Sequence, residues 1–257
     1  MFPRLIGVIH LLPLPGAPGY EGDLASIEQR ALRDAGAYTS AGFDGLLLEN
    51  FGDVPFFKDS VERVTVAAMS RIACRLREKF PVSLGVQVLR NDALSALAVA
   101  AVSGAEYIRV NVLAGVMATD QGLIEGNAAE IQRARAGLCP EVSIFADVLV
   151  KHAQPLSPVS MNRAVKDLVQ RAMADAVIVT GDATGSPVDW EDLREAKVAS
   201  TVPVYIGSGV TDATVRQALE IADGVIVGSA VKRGGDPRNA VDLERARAFV
   251  KKMGLQP

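Results

Sequence analysis

The chain has 257 residues, 49% of them hydrophobic and 22% charged, with a formal net charge of −3. That balance describes a folded protein with a large core and excludes a disordered or fibrous chain. A pI near 5.5 argues against a nucleic-acid partner, which calls for a basic patch.

In chain order, the first β-branched run, Leu5–Ile9, ends at His10 and a stiff proline-rich loop, and Ser26 with Gln29 reads as a capping box for the first helix. Leu46–Glu49 forms the second run, followed by Met69, Ile72, Ala73 and Leu76 at helical spacing. Val82–Val88 is the third, and the apolar stretch Ala93–Val102 behind it is too short to span a bilayer. Tyr107–Val112 and Ser143–Val150 are the fourth and fifth; Val165, Leu168, Val169 and Ala172 again have helical spacing. Val177–Thr180, Val204–Gly207 and Val225–Gly228 complete the strands, and Ala246, Phe249, Val250 and Met253 mark a closing helix.

Eight strands alternating with helices imply an α/β protein with a parallel sheet. An open doubly wound sheet satisfies the same alternation. The count of eight and the final helix favour a (β/α)8 TIM barrel, read as one domain over residues 1–257. A mean hydropathy of +0.21 fits a sheet covered on both faces. Cys74 and Cys139 have no metal or redox spacing, and no signal-peptide pattern opens the chain. A cytoplasmic homo-oligomer without a transmembrane segment is therefore expected, with peripheral membrane contact left open.

Strand side chains alternate between faces, so parity separates barrel interior from helix layer. Ile108, Val110 and Val112 take the outer face of the fourth strand, leaving Arg109 and Asn111 inside. Ile144, Ala146, Val148 and Val150 do the same in the fifth, leaving Asp147 and Lys151 inside; Glu49 and Gln87 end the second and third. These groups converge at the C-terminal rim, where barrel enzymes keep their active sites. The alternative is a structural ion pair of Arg109 with Glu49 or Asp147.

The seventh strand runs into Gly207-Ser208-Gly209 and the eighth into Gly228-Ser229. Small residues let backbone N–H groups approach an anion, a following helix adds its dipole, and barrel enzymes commonly hold phosphate at this place. The loop from Thr180 to Gly185 brings Asp182 and Thr184 to the same rim. His10 either touches the site or caps its strand; His152 lies past a strand end, and two histidines on separate loops make a poor zinc site. No metal or cofactor is expected. Lys151 reads as a loop lysine that is solvated or binds an anion, with a Schiff base as the alternative.

The segments Gly7–Gly16, Leu48–Pro55, Val88–Asp92, Ile108–Asn111, Thr119–Gly126, Ala146–His152 and Gly207–Gly209 together resemble the BtpA family, also called the BtpA/SgcQ family. Gln87 stands where the family usually has Asn. The resemblance covers nearly the whole chain. It implies a barrel akin to the ribulose-phosphate-binding group and, for cyanobacterial members, an association with photosystem I biogenesis; it supplies no reaction.

Two functions of different class remain. The first is an enzyme acting on a small phosphorylated metabolite, a sugar phosphate or a nucleotide-derived one. Phosphate would dock on the Gly207–Gly209 and Gly228–Ser229 amides. Asp147 or Glu49 would be acid or base, Arg109 and Lys151 would stabilise negative charge, and Asn50 and Asn111 would orient hydroxyls. Isomerisation, aldol-type cleavage and glycosyl transfer or hydrolysis all suit that set. The second is a non-catalytic assembly factor for a membrane complex such as photosystem I, on an inherited barrel.

Overall fold

A computed structural model describes residues 2–150, 152–181 and 189–254. Strand β1 (Leu5–His10) leads to helix α1 (Leu24–Ala41), β2 (Gly45–Glu49) to α2 (Arg63–Lys79), and β3 (Ser83–Gln87) to α3 (Ala93–Ser103). After β4 (Tyr107–Val110) comes a hairpin, β5 (Val116–Thr119) and β6 (Gly122–Glu125), and then α4 (Ala128–Leu138). β7 (Ser143–Val148) is followed by a short strand, β8 (Ala153–Pro155), and by α5 (Met161–Lys166), which widens into a π-helical turn over Asp167–Arg171. Three further units follow: β9 (Ala176–Val179) with α6 (Trp190–Ala199), β10 (Val204–Ile206) with α7 (Val215–Ile221), and β11 (Gly224–Val227) with α8 (Leu243–Lys252).

Eight strands pair in parallel in the order β1-β2-β3-β4-β7-β9-β10-β11 and close on β1, so the fold is a (β/α)8 barrel. β5, β6 and β8 form a separate antiparallel sheet with β5 in the middle. Sequence patterning misses this sheet, because its strands hold four, four and three residues and carry no sustained apolar run. The fourth and fifth barrel strands are correspondingly shorter than expected: Asn111–Val112 and Leu149–Val150 lie beyond the ladder and lead into the added sheet. Helix α1 starts earlier than a Ser26–Gln29 box would place it, because Asp23 is the N-cap and accepts from the Ser26 amide at 2.9 Å.

Within the barrel ladder period-two alternation divides the apolar residues as the sequence requires; Val112 and Val150, expected on the outer face, lie beyond it and pack with Met117 and Ile124 of the added sheet. Ile108, Val110, Ile144, Ala146, Val177 and Val225 pack outward in one large cluster with Met69, Ile72, Leu76, Val165, Phe249 and their neighbours on the helices. Ile6, Val8, Leu47, Tyr107, Phe145, Ile178, Tyr205 and Ile226 fill the barrel itself. Within that filling Tyr107 stacks on Phe145 at 4.7 Å between ring centroids, and Phe145 meets Tyr205 at 5.1 Å. Gly85 leaves room for this layer, since a Cβ there would lie 2.1 Å from the Tyr107 ring. The two phenols satisfy themselves on the carbonyls of Leu46 and Pro3, both at 2.7 Å.

The aromatic layer plugs the barrel and supports whatever sits above it. Phe145→Ala is expected to cost roughly 3–5 kcal/mol, because the rigid ring of strands cannot collapse into the cavity. Urea denaturation measures it; a loss below about 1 kcal/mol would mean that the layer bears no such load.

Candidate active site

Arg109 lies two residues beyond Tyr107, Asp147 two beyond Phe145 and Glu49 two beyond Leu47, so period two stacks a charged layer directly on the aromatic one. Arg109 Nε donates to Asp147 Oδ1 at 2.9 Å and Nη2 to Oδ2 at 3.1 Å. Asn111 Nδ2 donates to the same Oδ2 at 2.5 Å. Both side chains of the ion pair are buried, at 4% and 0% exposure. Burial pulls the Arg109 pKa down, and the Asp147 carboxylate more than reverses this, so the guanidinium sits above its ordinary value. Of the two partners the sequence allows for Arg109, Asp147 makes the bidentate contact. Its two oxygens are thereby committed, which suits it to holding Arg109 better than to taking protons.

Arg90 joins this layer without having been singled out as a site residue. It is buried and donates through Nη1 to Asn111 Oδ1 at 3.4 Å. Burial lowers its pKa, while Asp147, Asp120 and Glu49 act in the opposite sense. Its place in the Val88–Asp92 segment was its only signal, because it lies three residues past the end of β3, where parity no longer applies. Asn111 therefore has both amide ends engaged, by Arg90 and by Asp147. Gln87, paired in register with Glu49, is buried, and its Oε1 has no hydrogen-bond partner among the described residues.

Arg109 also lines a cleft, with a cavity volume of about 50 Å³, that contains His10, Glu49, Phe51, Gly207, Ser208, Gly209, Gly228 and Ser229. His10 and Glu49 are register partners on β1 and β2. His10 Nδ1 lies 2.9 Å from the Pro237 carbonyl and its ring packs on Phe51 at 4.4 Å. A carbonyl accepts only from an N–H, so the neutral ring carries its proton on Nδ1 and leaves Nε2 as a base. A Cβ added at Gly228 would lie 3.4 Å from that Nε2. His10 thus lines the same cleft as Arg109 and the glycine turns.

The glycine turns differ in detail from the sequence expectation. The Gly207 amide donates to the Val179 carbonyl at 2.9 Å, so it is not offered to an anion. Gly207 contributes space instead: a Cβ there would stand 2.5 Å from Ile178 Cγ2 and 3.2 Å from Arg109 Nη2. The amides of Ser208, Gly209 and Ser229 make no such bond among the described residues. Nor does a full helix follow either turn directly. Helix α7 begins only at Val215, and Ser229–Val231 is a single 3-10 turn, so loop amides and Arg109 replace the expected helix dipole.

Asn50 turns away from this cleft. Its Oδ1 accepts from the Leu89 amide at 2.7 Å and its Nδ2 donates to Asp53 at 3.1 Å, while Asp53 also accepts from the Leu14 amide at 2.8 Å. Asn50 and Asp53 thus tie three rim loops together, and burial raises the Asp53 pKa. Asn50 and Asn111 thus each spend one N–H and one oxygen lone pair on the scaffold. His152 is exposed, outside the charged layer. Lys151, Asp182 and Thr184 lie outside the described residues.

Lys232, just behind the Ser229 turn, is the other residue that sequence reasoning overlooks. It is fully buried, and its Nζ has no hydrogen-bond partner among the described residues. Desolvation lowers its pKa to about 8, against the attraction of Asp34, Glu49 and Asp236 and with the repulsion of Arg30. In the sequence it is indistinguishable from a solvated loop lysine.

The BtpA family profile matches residues 2–254. The chain belongs to the BtpA family. It is 49% identical over 250 residues to a protein of Synechocystis sp. named photosystem I biogenesis protein BtpA, covering 97% of this chain and 87% of that one. An uncharacterized protein of Pyrococcus abyssi is 47% identical over 247 residues, covering 96% and 94%. Among solved structures, N-(5'-phosphoribosyl)anthranilate isomerase from Pyrococcus furiosus matches with a TM-score of 0.60 at 13% identity, covering 98% of each chain. Thiamine phosphate pyrophosphorylase from the same organism matches at 0.59 and 15%, covering 98% of this chain and 95% of that one. At such identities the likeness is one of fold.

Two outcomes are expected for this BtpA-family chain. Asp147→Asn leaves the buried Arg109 cation without its counter-charge and should cost roughly 3–5 kcal/mol in urea denaturation. An Asp147→Asn protein as stable as wild type would show that the pair does not hold the layer together. Lys232→Met tests the buried ammonium. Because the folded-state pKa of Lys232 is about 8 against 10.5, the unfolded chain binds the proton more tightly. The penalty is therefore complete below pH 8 and is relieved between about 8 and 10.5. The substitution should stabilise by on the order of 3 kcal/mol at pH 7, with a gain that fades across that window. Parallel stability profiles for the two proteins, separated equally at pH 7 and pH 10.5, would contradict this.

Proposed function

We propose that this protein is an enzyme that acts on a small phosphorylated metabolite. One observation carries the reading: a single cleft contains two glycine turns whose Ser208, Gly209 and Ser229 amides have no backbone partner among the described residues, the Arg109 cation, and two side chains able to exchange protons, His10 and Glu49. In this scheme the phosphate rests on the amides of Ser208, Gly209 and Ser229, which fixes the substrate against the charged layer. Arg109, held in one orientation by Asp147, stabilises negative charge developing on the reacting group. His10 Nε2 takes or returns the proton, and Glu49 beside it serves as its partner. Asp147 acts as a positioning residue through Arg109.

Isomerisation, aldol-type cleavage and glycosyl transfer or hydrolysis each need such an anchored anion, a proton-exchanging pair and a fixed cation. No step of the scheme calls on a metal or an organic cofactor. The solved barrels of like fold include an isomerase and a pyrophosphorylase whose names specify phosphorylated compounds, which supports the substrate class. The name of the Synechocystis relative supports the second reading, a biogenesis factor for photosystem I. That role needs no anion site in the barrel mouth.

Calorimetric titration with inorganic phosphate separates the two. Wild type should bind phosphate, and Ser208→Asp, which brings a carboxylate to the cradle, should weaken it by at least roughly tenfold, or about 1.4 kcal/mol, with unchanged far-UV circular dichroism. Absence of binding to wild type, or equal affinity in the folded variant, would remove the support for the enzyme reading.

A further inference from the structure

A second cavity, of about 330 Å³, opens on the other side of the ion pair. Arg109 lines the phosphate cleft, whereas its partner Asp147, with Asn111, lines this one, so the two cavities border the two members of a single bidentate contact. Its wall comes from the residues that lead out of β4 and β7, from β5 and β8 of the added sheet, and from α5 and the turn after it. Val112, Met117, Leu149, Val150 and Leu168 give it an apolar surface, and no lysine or arginine lines it among the described residues. Apart from Ser157, which is exposed, the polar side chains in the wall are already engaged. Asp147 accepts from Arg109 and Asn111, the Asn111 amide is held at both ends, and Asp167 accepts from Arg163 at 2.8 Å.

A polyhydroxylated or doubly phosphorylated group would lose its water in this cavity and find few partners there, which costs free energy for every unpaired polar atom. A flat apolar group loses nothing comparable and gains in proportion to the area it buries. We propose that the two cavities form one bipartite site, and that the substrate is a phosphorylated compound whose far end is an uncharged aromatic or similarly apolar group. This rests on the phosphate cleft described above and adds the identity of the other half of the ligand. It also gives the added three-stranded sheet a role, which is to wall the apolar half of the site.

The test uses the intact chain and three probes in calorimetry: inorganic phosphate, 1-naphthyl phosphate and a sugar bisphosphate. Naphthyl phosphate should bind at least roughly tenfold tighter than inorganic phosphate, and the bisphosphate should show no such gain. Leu149→Asn removes apolar surface at a residue with φ of 48°, a backbone conformation asparagine tolerates, so it should fold. That variant should lose the naphthyl advantage and keep the affinity for inorganic phosphate, while Ser208→Asp should weaken both ligands together. Normal phosphate binding without a naphthyl advantage, a naphthyl advantage indifferent to Leu149→Asn, or a bisphosphate that binds more tightly than naphthyl phosphate would overturn the bipartite site and leave the phosphate cleft standing. If neither phosphate nor naphthyl phosphate binds, both readings fall.

Discussion

A charge cannot be left alone in a barrel interior, and this constraint organises the upper half of the molecule. Arg109 is buried on top of packed tyrosine and phenylalanine rings, where an isolated guanidinium would be strongly disfavoured. Asp147 answers it with two hydrogen bonds, Asn111 adds a third to the carboxylate, and Arg90 closes on Asn111. Each member fixes the rotamer of the next. The result is a rigid polar floor rather than a set of mobile charges. Rigidity of this kind is what electrostatic stabilisation of a reaction requires, because the donors need not reorganise while charge develops.

The floor has two sides, and their chemistry differs. Toward β10, β11 and β1 lie backbone amides, His10 and Glu49, a surface suited to an anion and to proton exchange. Toward β5, β8 and α5 lie valine, methionine and leucine side chains. The asymmetry follows from what each rim segment exposes. The connections after β10 and β11 open on Gly207-Ser208-Gly209 and Gly228-Ser229, which are rich in glycine, so backbone is what they expose. The connections after β4 and β7 are long enough to form their own small sheet, so they expose side chains.

Several polar groups near the rim serve the scaffold instead. Asn50 and Asp53 tie the loops after β1, β2 and β3 to one another. Asp34 accepts from the Val241 amide and from Arg30, which joins α1 to the segment before α8. Lys232 lies buried nearby at an energetic cost, with its positive charge close behind the Ser229 turn. Its charge contributes to the potential around the cleft lined by His10, Glu49 and Arg109 without touching its wall.

The barrel, and the inward direction of Arg109, Asn111 and Asp147, were legible in the chain before any coordinates, because period-two alternation and the count of apolar runs are local properties. So was the place of the two glycine turns, since small residues at the ends of the last two strands are visible in the bare sequence. Three matters needed the folded molecule. Which carboxylate meets Arg109 depends on distances between strands, and Asp147 on β7 rather than Glu49 on β2 lies beside β4. Whether an amide is committed depends on the neighbouring strand: Gly207 is engaged by Val179, while Ser208 and Gly209 have no backbone partner among the described residues. The small sheet of β5, β6 and β8, and the apolar cavity it walls, arise from strands of three or four residues that carry almost no periodic signal. β5 and β6 form a local hairpin, whereas β8 is held by pairing between segments far apart in the chain, such as Thr119 with Ala153. Pairing at that separation leaves no local pattern, so it becomes visible only once the barrel has brought the two rim segments together.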